Sequence, residues 1–338
     1  MPRVSAPAKA DWLVVSVGCP CGIGPEVSVR AAAKTAGCVL VGDFEMLQQV
    51  AELVSVPRKR LVKFEGEVRD SRAIYVHSVG PKLALRDRKP GKPNAASGAA
   101  QLAYINEAYR LAKAAPGRAL VTGPVSKAAI AHSGVPGSAH FLGHTEWLRD
   151  LDHASLSVMC FAAGPLVSSL VTTHLPIADV PKALTPRAVA EATFQLAELL
   201  IALGKKQPTI AVCSLNPHAG ESELLGQEER RAIVPGIHAA QHRLGRRAKL
   251  LGPLGAETAF RKAAAGVYDG VVAMYHDQAT IPMKLVAFGD AVNVTMGLSI
   301  VRTSVDHGTA YDIAWQGIAD ADGMSSALEL GRRLVSSR

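Results

Sequence analysis

Short runs of β-branched and aliphatic residues alternate with helix-patterned stretches along most of this chain. That alternation confines it to the α/β class with mainly parallel sheets, because two parallel strands need a crossover between them, usually a helix. Strands are expected at 12–17, 38–41, 73–77, 119–122, 156–161, 166–172, 209–213, 271–274 and 291–295. Helices are expected from about Pro25, over 44–53, 97–114 and 186–203, and near the end at 309–318 and 325–334. The Pro/Gly-rich stretch 86–97 reads as a surface loop and the first ten residues as a tail. With 338 residues the chain exceeds one small core, so two domains are expected.

Composition narrows the function classes. Lys plus Arg number 37 against 29 Asp plus Glu, a formal charge of +8 that is spread along the sequence. No basic stretch is interleaved with aromatics, which argues against nucleic-acid binding, whereas a positive field suits anionic small molecules. The five cysteines (19, 21, 38, 160 and 213) are odd in number and lie mostly in apolar runs, as reduced thiols of a cytoplasmic protein would. No apolar run has the length of a membrane span, and the run WLVVSV stops too early for a signal peptide.

Three histidines each follow a strand-like run: His174 after VSSLVTT, His218 after TIAVCSLNP and His276 after DGVVAMY. Ligands of open α/β sheets bind beyond the carboxyl ends of strands, so these imidazoles can converge there. Three neutral imidazoles leave a coordination position open, as a catalytic divalent metal requires. Asp277 or Glu221 could orient such a ligand ring.

Other motifs carry anion chemistry. GCPCGIGPE follows a strand and opens a helix, but its spacing departs from the dinucleotide fingerprint and favours a tight turn over a phosphate cradle. His144 and Thr145 begin a helical stretch, where Thr145 serves either as a cap or with His144 as a donor to a substrate hydroxyl or carboxylate. Lys284, Asn293 and Arg302 supply the cations and amide that phosphate or carboxylate recognition needs. The block DHGTAYDIA offers a polar helix start that could hold adenosine or phosphate.

Taken together, these segments resemble the 4-hydroxythreonine-4-phosphate dehydrogenase family of pyridoxal phosphate biosynthesis. The matching blocks are GCPCGIGPE, VTGPVSKAAI, FLGHTEWL, LVTTHLP, SLNPHAGE, GPLGAETAF, AMYHDQ and RTSVDHGTAYDIA, in order along nearly the whole chain. The resemblance implies an isocitrate/isopropylmalate dehydrogenase-like fold of two α/β/α domains with a cleft between them. It implies a discontinuous first domain (1–127 plus 293–338) and a second (128–292) carrying most metal ligands and the interface of a homodimer.

It further implies a divalent metal (Zn, Mg or Co) on His174, His218 and His276, with the site shared between subunits. Substrate contacts carry over to His144, Thr145, Lys284, Asn293 and Arg302. Lys284 is the candidate catalytic base, beside water on the metal. NAD or NADP falls near His307, Gly308, Thr309 and Asp312. The implied reaction oxidises 4-phosphooxy-L-threonine and decarboxylates it to 3-amino-2-oxopropyl phosphate.

The sequence departs from the family's usual residues at Cys19 and Cys21 (Asp and Ala), Glu257 (Asp) and Ser299 (Pro). These departures keep a second substrate open, an erythronate or threonate 4-phosphate. A phosphate acyltransferase is a more distant alternative, which would need no histidine triad.

Overall fold

Each strand in the middle of the first sheet is apolar on both faces, as a parallel sheet covered on both sides requires. The computed structural model describes residues 12–80, 82–287 and 291–337. The ten-residue tail expected at the N-terminus lies outside these. The chain divides into two units, the first reaching Ser155 and resuming over Leu298–Ser336, the second spanning Leu156–Gly297.

The first unit contains β1 (Leu13–Ser16), α1 (Gly24–Lys34), β2 (Cys38–Val41), α2 (Phe44–Leu53), β3 (Leu61–Lys63) and β4 (Ile74–His77). It continues with α3 (Ala95–Lys113), β5 (Ala119–Thr122), α4 (Lys127–Ala131) and α5 (His144–Leu151). The second unit holds β6 (Val158–Ala163), β7 (Leu166–Leu170), α6 (Val180–Ala183), α7 (Pro186–Ala202), β8 (Thr209–Cys213) and α8 (Val234–Leu244). It ends with β9 (Lys249–Leu254), α9 (Ala256–Ala264), β10 (Gly270–Ala273), α10 (His276–Val286) and β11 (Val292–Met296). The chain then returns to the first unit as β12 (Val301–Val305) and α11 (Asp322–Ser336).

In the first unit the strand order is β3-β4-β2-β1-β5-β12, parallel throughout. The order reverses between β1 and β5, and ligands of such sheets bind at the strand ends there. Helices α1, α2 and α11 pack as one group and α3 with α4 as another, each against the sheet. Val14, Val15, Leu40, Leu120 and Val121 fill the layer between, wholly buried, each contributing roughly 1.5–3 kcal/mol.

Local chemistry sets the helix starts. Asn94 and Ser97 form a reciprocal capping box on α3, and Asp43 caps α2 by accepting from the Met46 N–H at 2.7 Å. Thr185 caps α7 just before Pro186.

The second sheet runs β11-β6-β7-β10-β8-β9, antiparallel at its β11-β6-β7 end and parallel through the rest. Its core includes Phe161, Leu170, Phe260, Val271 and Met283.

Three differences from the sequence reading stand out. The first unit runs past the boundary read at 127, because α5 is bonded back onto α3: the Trp147 Nε1–H donates to Asn106 at 2.8 Å, and the Tyr109 hydroxyl donates to Asp152 at 2.8 Å. Asn293, read as first-domain, lies on β11 of the second unit. The helix expected at 309–318 is a series of turns instead. The N–H groups of Trp315 and Gly317 donate to the Glu26 carboxylate on α1, not to carbonyls one turn back, and Ala310 and Trp315 take positive φ.

Candidate active site

Arg302 sits on β12, whose register places it beside Leu120 of the neighbouring strand β5. Its guanidinium is buried and donates from Nη2 to the Thr122 hydroxyl at 2.7 Å. Burial pulls its pKa down to about 10, and the Glu146 carboxylate pulls the other way. His144 opens α5 nearby, edge-on to Phe141 with ring centroids 6.2 Å apart. The ring as a whole is part-exposed, yet its Nε2 atom is covered and has no bonding partner. Burial, followed by the positive charges of Arg302 and Lys127, holds the imidazole well below its usual pKa, so it is neutral.

Thr145 does not cap α5. Gly143 occupies the cap position of α5 and no side chain caps the helix, so Thr145 is left for other contacts. Gly143 itself has a spatial reason: a Cβ there would lie 3.1 Å from Glu146 Oε2 and 3.6 Å from Lys127 Nζ. Lys127 and Glu146 thus close over the glycine and complete a charged cluster around His144. Sequence reasoning missed both as site residues, although they lie within the quoted blocks VTGPVSKAAI and FLGHTEWL.

The glycine-rich loop after β1 is a packing device. The Ile23 N–H donates to the Thr309 carbonyl at 3.0 Å, and a Cβ on Gly22 would meet that oxygen at 2.7 Å. Trp315 Nε1–H donates to the Pro20 carbonyl at 2.9 Å, and Arg30 reaches the Gly317 carbonyl. The loop after β12 therefore packs against the glycine-rich turn, whose Gly22 N–H also bonds to the Cys19 carbonyl at 3.1 Å.

That second loop carries the candidate cofactor residues. His307 donates from Nδ1 to the Gly308 carbonyl at 3.0 Å, and its Nε2 is covered without a partner. Gly308 and Asp312 are exposed, and the Thr309 carbonyl is the one engaged by Ile23.

In the second unit the ends of β7 and β10 are tied together. Thr172 donates its N–H and its hydroxyl to the Met274 carbonyl, the latter at 2.7 Å. His174 and His276 each follow their tied residue by two positions, and their rings meet with centroids 5.6 Å apart. His276 donates its Nδ1–H to Asp277 at 2.7 Å. In the neutral ring this leaves the Nε2 lone pair for a metal.

His218 follows a different path. It takes φ +54° in a run of left-handed residues from 218 to 223. Among the described residues no three His, Cys, Asp or Glu side chains gather into a metal-holding group, so one chain brings two of the three candidate ligands together and not the third. Glu221, raised as an orienting group, is exposed within the same run. Lys284 is exposed on α10, two turns after His276. Asn293 on β11 has a covered Oδ1 with no partner.

Two of the four departures find a place. The Ser299 N–H and hydroxyl both bond to Asp152 (2.6 and 2.5 Å), a closure internal to the first unit. Glu257 is exposed on α9 and accepts from its neighbour Thr258 at 2.6 Å.

The family model of the pyridoxal phosphate biosynthetic protein PdxA matches residues 34–331. The chain belongs to this PdxA family. The 4-hydroxythreonine-4-phosphate dehydrogenase of Trichlorobacter lovleyi is 37% identical over 96% of this chain and 98% of its own. A Bradyrhizobium diazoefficiens protein, 35% identical over 96% of each chain, bears D-threonate 4-phosphate dehydrogenase as a provisional name. The crystal structure of the Klebsiella pneumoniae 4-hydroxythreonine-4-phosphate dehydrogenase superposes with a TM-score of 0.83 at 32% identity, over 97% of this chain and 100% of that one. The chain thus has the isocitrate/isopropylmalate dehydrogenase-like α/β fold, and its named relatives place it among the oxidoreductases. No helix among the described residues is long and apolar enough to cross a membrane.

Proposed function

We propose that this protein oxidises 4-phosphooxy-L-threonine with NAD or NADP and a divalent metal, and decarboxylates the product to 3-amino-2-oxopropyl phosphate. The observation that carries this reading is the His144 ring, neutral and with a covered, unanswered Nε2, beside the buried Arg302. A covered polar atom with no partner calls for a ligand that supplies one. A substrate carrying a phosphate, a carboxylate and a hydroxyl supplies both the anion and the hydrogen bond.

Arg302 anchors an anionic end of the substrate, with Lys127 as the second cation. His144 and Thr145 orient the hydroxyl and amino region, and the Asn293 amide adds a contact. His174, His276 and His218 would hold the divalent cation; the 5.6 Å approach of two imidazoles and the Asp277 bond on one of them suit that donor set. When bound, the cation supplies Lewis-acid chemistry, easing loss of the alcohol proton and charge build-up during decarboxylation. Lys284 takes the alcohol proton and returns one to the carbon that carbon dioxide leaves. His307, Thr309 and Asp312 face the nicotinamide nucleotide, which supplies the hydride acceptor.

A homodimer completes the metal set in this reading. Its support is the apolar surface of α10, where Ile281, Leu285 and Val286 are 60%, 82% and 47% exposed on the helix that carries His276. Sedimentation should find two chains per particle.

The decisive assay offers the amino substrate, NAD or NADP and a divalent metal together. Formation of NAD(P)H with stoichiometric carbon dioxide supports the reading, and no turnover with any metal overturns it. D-threonate or D-erythronate 4-phosphate is the second reading, favoured by Cys19 in place of the family's usual Asp and by the Bradyrhizobium relative. Faster turnover on those sugar acids, measured side by side, would select it.

A further inference from the structure

The three strands that lead to the candidate metal ligands are neighbours, in the order β7-β10-β8. They end at Leu170, Ala273 and Cys213, short of the histidines. Beyond those ends, side chains help to hold the backbones together. Thr172 reaches from the end of β7 to the Met274 carbonyl. Gln278 reaches from α10 in two directions: its Oε1 accepts from the Met274 N–H at 2.7 Å, and its Nε2 donates to the Ser214 carbonyl at 2.9 Å. Met274 is thus held through both its backbone polar groups, and the ends of β7, β10 and β8 form one hydrogen-bonded row.

The two bonds of Gln278 differ in reach. That to Met274 spans 4 residues and belongs to the entry into α10. That to Ser214 spans 64 residues and joins the segment before His218 to the helix that begins with His276. The chemistry selects glutamine. The Met274 N–H can only donate and the Ser214 carbonyl can only accept, so the bridge needs an acceptor and a donor on one neutral group.

The far end of the bridge is itself fixed. Ser214 is buried, donates its N–H to the Leu254 carbonyl at 2.7 Å and its hydroxyl to the Asn216 carbonyl at 2.9 Å. The N–H groups of Leu215 and Asn216 both donate to the Glu229 carboxylate at 2.9 Å. Residues 214–216 are therefore a footing bonded at every residue, from which the left-handed run at 218–223 departs.

We propose that Gln278 is a positioning residue for the divalent-metal set, fixing where His218 stands relative to His174 and His276. This rests on the three-histidine metal reading. One chain brings two of the rings together and not the third, so in that reading each site draws on a second chain. A two-fold dimer builds both of its sites from the same loops. Both close only if the spacing between His218 and the other two rings is the same in each chain. The pairing of β8 with β10 stops at the strand ends, and the Gln278 amide carries it on toward the rings.

The test is cobalt(II) binding by the full-length protein, read from visible absorption and by competition with a chelator. Gln278→Met removes both bonds without adding charge. It should bind cobalt about tenfold to a hundredfold more weakly than the parent, the usual cost of losing a group that orients metal ligands. Thr193→Val is the control: it removes a buried bond to the Val189 carbonyl within α7, and should lower stability without changing cobalt affinity. Gln278→Asn, one methylene too short to reach both partners, should behave as Gln278→Met and replaces it if that variant does not fold. Cobalt bound by the Gln278 variant as tightly as by the parent overturns the proposal. Equal weakening in Thr193→Val also overturns it, because Gln278 would then act only through general stability. Undiminished cobalt binding by His218→Ala would instead overturn the three-histidine reading, and the proposal with it.

Discussion

In the first unit the proposed anion-binding Arg302 and the Nε2 of His144 are covered, whereas in the second the proposed metal ligands lie open. Arg302 is 3% exposed and the Nε2 atom of His144 is covered, both against a sheet that is parallel throughout. In the second unit His174 and His218 are exposed and the His276 side chain is 37% exposed, on loops beyond a sheet that turns antiparallel at one end. The contrast separates two kinds of site. An anion pocket can be finished inside one unit, because a buried guanidinium and a neutral imidazole are held by strands and helix starts. Of the three histidines proposed as metal ligands, one chain brings only two rings together, which is why the proposal looks to a second chain.

The largest effect that could break this contrast lies with the exposed rings. His174→Ala or His276→Ala should lower turnover by about three orders of magnitude or more. The urea midpoint should stay within error of the parent's, since neither ring is covered. A drop in stability equal to that of a core substitution would show that the histidines are structural.

Arg302→Met comes next and tests the covered site. It should cost about two to three orders of magnitude in kcat/KM, expressed mainly in KM, because it removes a charge-assisted contact to an anion. The melting temperature should hold or rise, because replacing a buried cation with an apolar side chain is often neutral or stabilising. A large fall in melting temperature with unchanged KM would assign Arg302 to the fold alone.

Glu26→Gln sharpens the account of the two loops. Its carboxylate accepts from the N–H groups of Trp315 and Gly317, and an amide nitrogen in place of one oxygen would face a donor. The expected loss is about 1–3 kcal/mol, with faster amide exchange at those two residues than at β12. Equal protection in both would show that the loop is held by other contacts.

The smallest effect is the pH dependence of His144. Its folded pKa lies well below the ordinary imidazole value of 6.5, led by burial. Above that value both folded and unfolded states hold a neutral ring, and stability is full. As pH falls below it, the unfolded chain takes up a proton that the folded one refuses, so stability drops by at most roughly 1.4 kcal/mol per pH unit from this residue. His144→Gln should flatten that part of a urea-midpoint series, and an unchanged slope would mean that the ring protonates freely in the folded protein.

The strands that the sequence showed and those it hid differ for a physical reason. β1, β2, β5, β8 and β10 are continuous apolar runs and were legible as such. β12 was not, because Arg302, Thr303 and Ser304 interrupt it with polar side chains that are nonetheless buried; the strand is disguised by the site it carries. β9 contains Gly252 and Pro253 and lies at the sheet edge, the place where proline is tolerated. The turns at 309–318 looked helical because nothing local reveals that their N–H groups are claimed by Glu26, nearly three hundred residues earlier.

From the order of its residues alone, this chain settled its class and its α/β alternation, since those follow from periodicity and local chemistry, while its motif blocks carried the resemblance to a family. Tertiary structure alone decided which of the marked residues are covered, which two histidines meet and which loop fills the glycine turn. Such outcomes depend on contacts between segments remote in sequence, and no local pattern encodes which partner a side chain or an N–H will find.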